Sequence, residues 1–522
     1  MIELIRKWRQ KWLPSTARAA NYKVAPAWTA MEEAVRGGNL KAVFDQLPAW
    51  SELPEADIAN LTEVLGRVGV SAQELARIEI FFEYHVRKID IAFARAQIYM
   101  DQHGFDQDMH VVSLMCFYQN NQFEDALTYL DRVDEAEVST MKRGDYWAVR
   151  AAILGSNNQL QRAQAAMDQA LEFDPDNGAI ASTALGFYIE MGAQEKVDKL
   201  RSKVTDGYSY ALSLLALGEC EQGFRHAEAR YDCSEAHRFI NLGLKPYPRW
   251  QGESIAGLRL LVSAEQGLGD TVQMARYFPS LLSLGAREII FESQPEALPL
   301  MQYNFPEISM VERKWGTKPP QDFDIWTSAM SLPYLLQAWG GNIPGKSGYL
   351  GAPSENVDYW KSRVAKLVSR KRPKIGLAWS GQAAHRADRR RSIPFLQIMQ
   401  KVSNIPAYFF ALQTQIAQVL PANVTNVSEE MLTLADTAAL IEQMDLVITV
   451  DTSVVHVAGA LGKETWLLLP KRYEWRWGME GEENDWYDAV KVIRQTEHSN
   501  WEPVLRDVFE YRLRERFDFQ EV

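Results

Sequence analysis

The chain has 522 residues, enough for about three or four domains at roughly 100–200 residues each. Apolar residues make up 47% and charged residues 24%, ordinary proportions for a globular protein, so long disorder is not expected. A formal charge of −12 argues against a broad nucleic-acid surface, and the scattered Cys116, Cys220 and Cys233 form neither a disulfide framework nor a CxxC zinc pair. A reducing cytoplasm is therefore the expected compartment.

The first segment, MIELIRKWRQKWLP, has no apolar core of the kind a signal peptide needs. Leu4, Ile5, Trp8 and Trp12 share one helical face, with Arg6, Lys7, Arg9 and Lys11 around it. Residues 1–24 are expected to form a basic amphipathic helix. Either its tryptophans pack on the next helices, or residues 1–13 make weak contact with an anionic membrane surface.

Residues 25–240 read as successive helices with short turns. The clearest unit is YWAVRAAILGSNNQLQRAQAAMDQALEFDPDN, closed by Asp174-Pro175 because proline cannot continue a helix. Ala126, Ala163 and Val197 mark successive units 37 and 34 residues apart, a period similar to that of tetratricopeptide repeats, with Phe224 arriving early. MEEAVRGGNLKAVFDQL reads as a more divergent unit. One such pair cannot bury its apolar face alone, so the pairs stack and offer a surface suited to polypeptide, or serve as a structural arm.

From Gly257 short apolar runs alternate with helical segments. LRLLVSA, EIIFES, FDIWTS, KIGLAWS, AYFFALQ, DLVITVD and ETWLLLP are expected as strands of parallel sheets covered on both faces. The polar stretch before Lys374 divides two Rossmann-like lobes, 241–367 and 372–522. Ligands are expected at the C-terminal ends of such strands, which makes Ser380, Gln413 and Asp451 candidates for donor binding.

Three motifs stand at strand ends. In AEQGLGD, Gly267 and Gly269 permit close backbone approach to a ligand and are candidates for donor binding, and Asp270 opens a helix, either as its cap or as a functional carboxylate. In WSGQAAHRADRRRSIP, His385, Arg386, Arg389, Arg390 and Arg391 concentrate positive charge suited to phosphate. In VDTSVVHVAGALGK, Thr452 and Ser453 begin a helix whose N-terminus attracts an anion, and His456 follows as a ligand contact or a buried, hydrogen-bonded histidine.

Together with PRWQGESIAGLRLLVSAEQGLGDTVQMARYFP, LADTAALIEQMDLVITVDTSVVHVAGALGKETWLLLP and YEWRWGMEGEENDWY, these motifs make the span from about Tyr247 onward similar to a known domain. It resembles the glycosyltransferase domain that follows tetratricopeptide repeats in many bacterial proteins, related to the ADP-heptosyltransferases and more distantly to the O-GlcNAc transferases. The resemblance implies a GT-B module, a nucleotide-sugar donor, and inverting transfer without a metal or other cofactor. It implies that Asp270 is the base, that Arg389 or Arg391 binds phosphate, and that Thr452, Ser453 and His456 stand where relatives read DTGPAH. Ser453-Val454-Val455 replaces Gly-Pro-Ala there. The final helix, near Trp501–Arg514, is expected to cross back onto the first lobe. Trp475, Arg476 and Trp477 either border the sugar or acceptor, or pack as aromatics. The layout is similar to flagellin glycosyltransferases with a repeat arm, which implies a protein acceptor. The competing readings are a non-catalytic scaffold with a nucleotide-binding lobe and a lipopolysaccharide or polysaccharide transferase.

Overall fold

A computed structural model describes residues 71–519, apart from 86–87, 121, 133–136, 139–140, 158, 202, 205–207, 233–239, 315–321, 383–387, 472–473 and 499. The amphipathic N-terminal segment, the unit at 31–47, Cys233, His385 and Arg386 lie outside the described residues. The chain divides into two compact units, 1–180 and 181–522.

The first unit contains α1 (Ala72–His85), α2 (Ile89–His103), α3 (Gln107–Gln119), α4 (Phe123–Leu130), α5 (Gly144–Ser156) and α6 (Leu160–Phe173). Asp106 caps α3 by accepting from the Asp108 and Met109 amides. In α6, Ala163, Ala166, Met167 and Ala170 form one buried stripe, the spacing that seats a helix against its neighbour. Gly144 is required at the start of α5: a Cβ there would lie 2.6 Å from the Asp174 Cβ and 2.7 Å from the Ile180 Cδ1.

The helical pattern runs on through α7 (Gly178–Met191), α8 (Gln194–Arg201), α9 (Tyr208–Ala216) and α10 (Cys220–Ala227). Ala126, Ala163 and Val197 are each the fourth residue of α4, α6 and α8, and all are buried. The matching position in α10 is Gly223, where a Cβ would meet the Leu215 Cγ at 2.6 Å. Phe224, one residue on, is the early landmark of the sequence pattern. Pairs α7–α8 and α9–α10 belong almost wholly to the second unit, with the sheets.

The second unit holds two parallel sheets. The first has order β3-β2-β1-β4, from β1 (Arg259–Ser263), β2 (Glu288–Ser293), β3 (Ser309–Glu312) and β4 (Ile325–Ser328). The second has order β10-β9-β8-β5-β6-β7, from β5 (Lys374–Ala378), β6 (Tyr408–Ala411), β7 (Val424–Asn426), β8 (Leu446–Val450), β9 (Thr465–Leu469) and β10 (Val490–Arg494). Central strands such as β8 are buried along their whole length, as expected when helices cover both faces. Strand order reverses between β1 and β4 in the first sheet and between β5 and β8 in the second. Those two points are where a doubly wound sheet opens a crevice at its strand ends.

One apolar core joins the facing sides of the sheets, running from Val262 and Phe291 through α11 (Leu268–Ala275), α12 (Ser354–Leu367), α13 (Leu434–Glu442) and α14 (Ser453–Ala460) to Val447 and Leu467. A separate core lies on the other face of the second sheet, where Trp501, Val504, Leu505, Val508, Phe509 and Leu513 cover Ile375, Phe409 and Leu468. The C-terminal helical segment thus stays on the second sheet instead of crossing to the first. Each such side chain contributes roughly 1.5–3 kcal/mol when buried, so its apolar face decides its place. Lys401 adds ion pairs to Glu502 and Glu510. No helix among the described residues is long and apolar enough to cross a membrane.

Candidate functional site

The glycine loop leaves β1 at its switch-point end. Gln266 is held at φ 63°, and Gly267 begins α11 in extended backbone. Asp270 turns back on its own helix, where its Oδ2 accepts the Gly267 amide at 2.9 Å. Its Oδ1 accepts from the Arg476 guanidinium, which comes from the turn after β9. Asp270 is therefore both a cap and one half of an ion pair that links the loop after the first sheet's β1 to the turn after the second sheet's β9. Gly269 makes its close approach to protein: a Cβ there would lie 2.6 Å from the His456 Cδ2 and 3.5 Å from the Ser453 Cα. The glycine loop and the start of α14 are in contact.

At the second switch point, Thr452 caps α14 by accepting the Val454 amide at 3.3 Å. Arg391 donates from Nη1 to the Asp451 carbonyl at 2.8 Å, linking the loop after β5 to the end of β8. Asp388 holds the same side chain through Arg391 Nε at 3.4 Å. Gly381 makes room for this pair, since a Cβ there would sit 2.3 Å from Arg391 Nη2. Arg389 is on the same helical turn, Asp388–Arg391, and its side chain is outside the described residues. Arg390 pairs with Glu190 of α7 at 3.7 Å.

Ser380 and Gln413 lie behind this loop and bind each other. The Gln413 Oε1 accepts the Trp379 and Ser380 amides at 2.8 and 3.0 Å, and its Nε2 donates to the Ser380 Oγ at 2.8 Å. They brace the end of β5, with the polar groups of Gln413 used on protein. His456 is buried. Its Nδ1 meets the Tyr487 hydroxyl at 2.9 Å and its ring lies 5.5 Å from that of Trp477. Burial, with Arg476 and Arg276 nearby, holds its pKa well below the ordinary histidine value, so the ring is neutral.

Arg476 is the centre of the arrangement. Besides Asp270 it donates to both Glu474 and, from Nε, to the Gln273 Oε1 at 2.7 Å. Burial opposes its charge, but Glu474 and Asp270 keep it protonated. The site's desolvation pushes Glu474 up to about 7, against the attraction of Arg476 and with Asp451 adding to the rise. Asp451 is also raised by burial, with Arg391 and Arg476 opposing. The flanking aromatics pack. Trp477 is buried, and Trp475 meets Phe224 edge-on at 5.7 Å and Trp486 at 5.8 Å.

Sequence reasoning missed Arg476 as the partner of Asp270, although it stands between two tryptophans and two residues after Glu474. It also missed Glu265, inside the glycine motif itself. Glu265 forms a buried two-point ion pair with Arg230 at 2.8 and 3.0 Å, and Arg230 donates onward to Ser331 at 2.8 Å. Among the described residues no group of three or more His, Cys, Asp or Glu is arranged to hold a metal ion.

Residues 410–468, from β6 through β9, match the family described as Glycosyltransferase family 9 (heptosyltransferase). That span includes Gln413, Asp451, Thr452, Ser453 and His456, but not Asp270 or the arginine loop. Protein FlbA of Caulobacter vibrioides (strain ATCC 19089 / CIP 103742 / CB 15) is 26% identical over 328 residues, covering 57% of this chain and 53% of its own length. The chain thus spans about half the length of that curated relative. The structure of E. coli ADP-heptose lps heptosyltransferase II aligns at 14% identity over 50% of this chain and 100% of its own, with a TM-score of 0.34. A glycosyl transferase family 9 structure from Veillonella parvula aligns at 12% identity over 47% of this chain and 87% of its own, with a TM-score of 0.32. The match to glycosyltransferase family 9 thus falls on residues 410–468, in the sheet whose strand β8 leads into the α14 helix start.

Proposed function

We propose that this chain is an inverting, metal-independent glycosyltransferase of GT-B layout, moving a sugar from a nucleotide-sugar donor to a protein acceptor. The observation that carries the reading is the contact of the glycine loop of Asp270 with the capped start of α14, where Gly269 meets His456 and Ser453. A carboxylate from one sheet lobe thereby stands beside an anion-favouring helix end from the other.

In this reading the acceptor hydroxyl oxygen attacks the anomeric carbon as the bond to the donor phosphate breaks. Asp270 takes the hydroxyl proton, and the nucleotide diphosphate leaves with the bonding electrons. Attack from the face opposite the leaving group inverts the anomeric centre. Arg391, with Arg389 on the same turn, and the α14 N-terminus at Thr452 and Ser453 would stabilise the departing charge, a contribution comparable to that of a general base, about 10²–10⁴-fold. The helix pairs would present the polypeptide acceptor, a flagellin or other surface subunit. Domain limits of 25–240 for the repeat arm and 241–367 and 372–522 for the lobes accompany this proposal.

The engagement of both Asp270 oxygens favours one rival, a scaffold whose lobe binds a nucleotide ligand without turnover. Thermal-shift screening against a nucleotide-sugar panel, followed by donor-hydrolysis and transfer assays with the best donor, separates the two. Donor binding with neither hydrolysis nor transfer supports the scaffold and sinks the transferase.

A further inference from the structure

The crevice at the β1/β4 switch point is occupied by the helical arm. Arg230, just after α10, is buried there against Glu265 at the end of β1 and Ser331 after β4; Glu265 also accepts from Ser328. Tyr231 and Glu228 complete the cluster, each bonded to Ser331, at 2.9 and 2.7 Å. The end of the arm is thus wedged where a doubly wound sheet ordinarily leaves its ligand crevice.

This wedge places α9 behind both supports of Asp270. On one side the Gln266 Nε2 donates to the Tyr208 hydroxyl, at the start of α9, at 3.3 Å. Gln266 holds a left-handed φ of 63°, which an L side chain rarely adopts unless its surroundings fix it, and the next residue supplies the amide bound to Asp270 Oδ2. A second bond, from the Gln294 Nε2 to the Gln266 carbonyl at 3.2 Å, steadies the same peptide. On the other side α9 packs against the Trp475–Trp477 turn, which presents Arg476 to Asp270 Oδ1. The Tyr208 phenol is surrounded by Glu265, Arg230, Arg476 and Asp270. Burial first, then Glu265, pushes its pKa up to about 12, so it stays a neutral hydroxyl.

We infer that α9 is a wall of the transfer site and that Tyr208 is a positioning residue, acting through Gln266 and the glycine loop to orient the Asp270 carboxylate. The inference rests on the reading of Asp270 as the base. It makes the arm part of the catalytic architecture as well as a surface for the acceptor. A misplaced base costs rate and not donor affinity, because the donor phosphate is held elsewhere.

The test uses the full chain and the donor found by the thermal-shift screen, with single-turnover transfer and donor calorimetry on Tyr208→Ala, Gln266→Asn, Asp270→Asn and the Tyr208→Ala/Asp270→Asn double variant. Asn tolerates the left-handed backbone but is one methylene too short to reach Tyr208, so Gln266→Asn keeps the test open if Tyr208→Ala fails to fold. The expected result is a fall of about 10-fold or more in transfer rate for either single variant, with donor affinity unchanged. In the Asp270→Asn background the Tyr208 change should have no further effect, because its route to the chemistry is already gone. An unchanged rate in the foldable single variant overturns the inference, and so does a rate loss that multiplies with that of Asp270→Asn. Near-wild-type transfer in Asp270→Asn alone removes the base and the inference together, an outcome visible without the Tyr208 data.

Discussion

Asp270 and Arg476, 206 residues apart in sequence, form an ion pair that joins the loop after β1 to the turn after β9. The pair gives the Asp270→Asn variant two measurable consequences. Asn can still accept the Gly267 amide, so the cap is largely kept. It cannot balance the Arg476 charge, which Glu474, raised to about 7, balances only in part near neutral pH. A melting temperature a few degrees lower is expected, with donor affinity near wild type. Transfer should fall by at least about 10²-fold, the usual lower bound for loss of a general base. A simple cap, which Asn largely preserves, predicts a stability loss of about 1 kcal/mol or less and full activity. Single-turnover transfer and melting on one preparation decide between them.

The arginine loop permits a steric test. Arg391→Ala should weaken donor binding, because the cation at the β5/β8 switch point is lost. Gly381→Ala should do the same from the other side. Its new Cβ would meet Arg391 Nη2 at 2.3 Å and Asp388 Oδ1 at 2.4 Å, displacing a flexible side-chain end while leaving the backbone in place. Titration calorimetry with the nucleotide sugar reads both. Wild-type affinity in the Arg391 variant would put the phosphate elsewhere.

The seven strands expected from sequence all formed, because buried parallel strands are written as apolar runs such as LVITV and TWLLL. Those not foreseen are β3, β7 and β10, each at the edge of its sheet. An edge strand is half exposed and can be short: Ser309–Glu312 has no fully buried residue, and Lys491 of β10 is exposed. Such segments lack the continuous apolar signal that periodicity detects. Motif position likewise pointed to the loops around Asp270, Arg391 and Thr452, since strand-to-helix turns are visible in sequence. The roles of Arg230 and Tyr208, and the pairing of Arg476 with Asp270, were not legible. Their partners lie 206, 35 and 58 residues away, and no local pattern encodes which distant carboxylate or amide a side chain meets.

Glu474 should make stability depend on pH. Its folded pKa of about 7 is above the ordinary 4.5. Below pH 4.5 the group is protonated in both states and the fold has no penalty. As pH rises towards 7 the unfolded chain ionises first, so stability contributed by the neutral carboxyl is lost through that window. Glu474→Gln removes the titration. The unfolding free energy of the variant relative to wild type should therefore climb between pH 4.5 and 7 and level off above it. Chemical denaturation at a series of pH values measures this. A constant difference across the window would mean that Glu474 titrates at its ordinary value.

The last prediction concerns where the sheet-bearing module begins. Sheet-bearing lobes alone would start near residue 241. The compact unit starts near 181, and the reason is physical. Removing 181–240 strips Arg230 from Glu265, which is 2% exposed, and uncovers the faces of Trp475 and Trp339 that pack against Phe224. Loss of one partner from a buried ion pair costs about 3–5 kcal/mol, a large part of the stability of a single domain. A fragment of residues 178–522, which keeps α7 whole, should melt cooperatively and bind the nucleotide sugar. A fragment of residues 241–522 should melt far lower or aggregate. Arg230→Ala in the full chain should reproduce much of that loss. An Arg230→Met/Glu265→Leu double variant should recover most of it, since replacing both charges with apolar groups leaves no unpaired carboxylate. Circular dichroism melting of the four proteins is sufficient. Equal melting of the 178–522 and 241–522 fragments would show that the last two helix pairs are an appendage, and the lobes would then be the complete module.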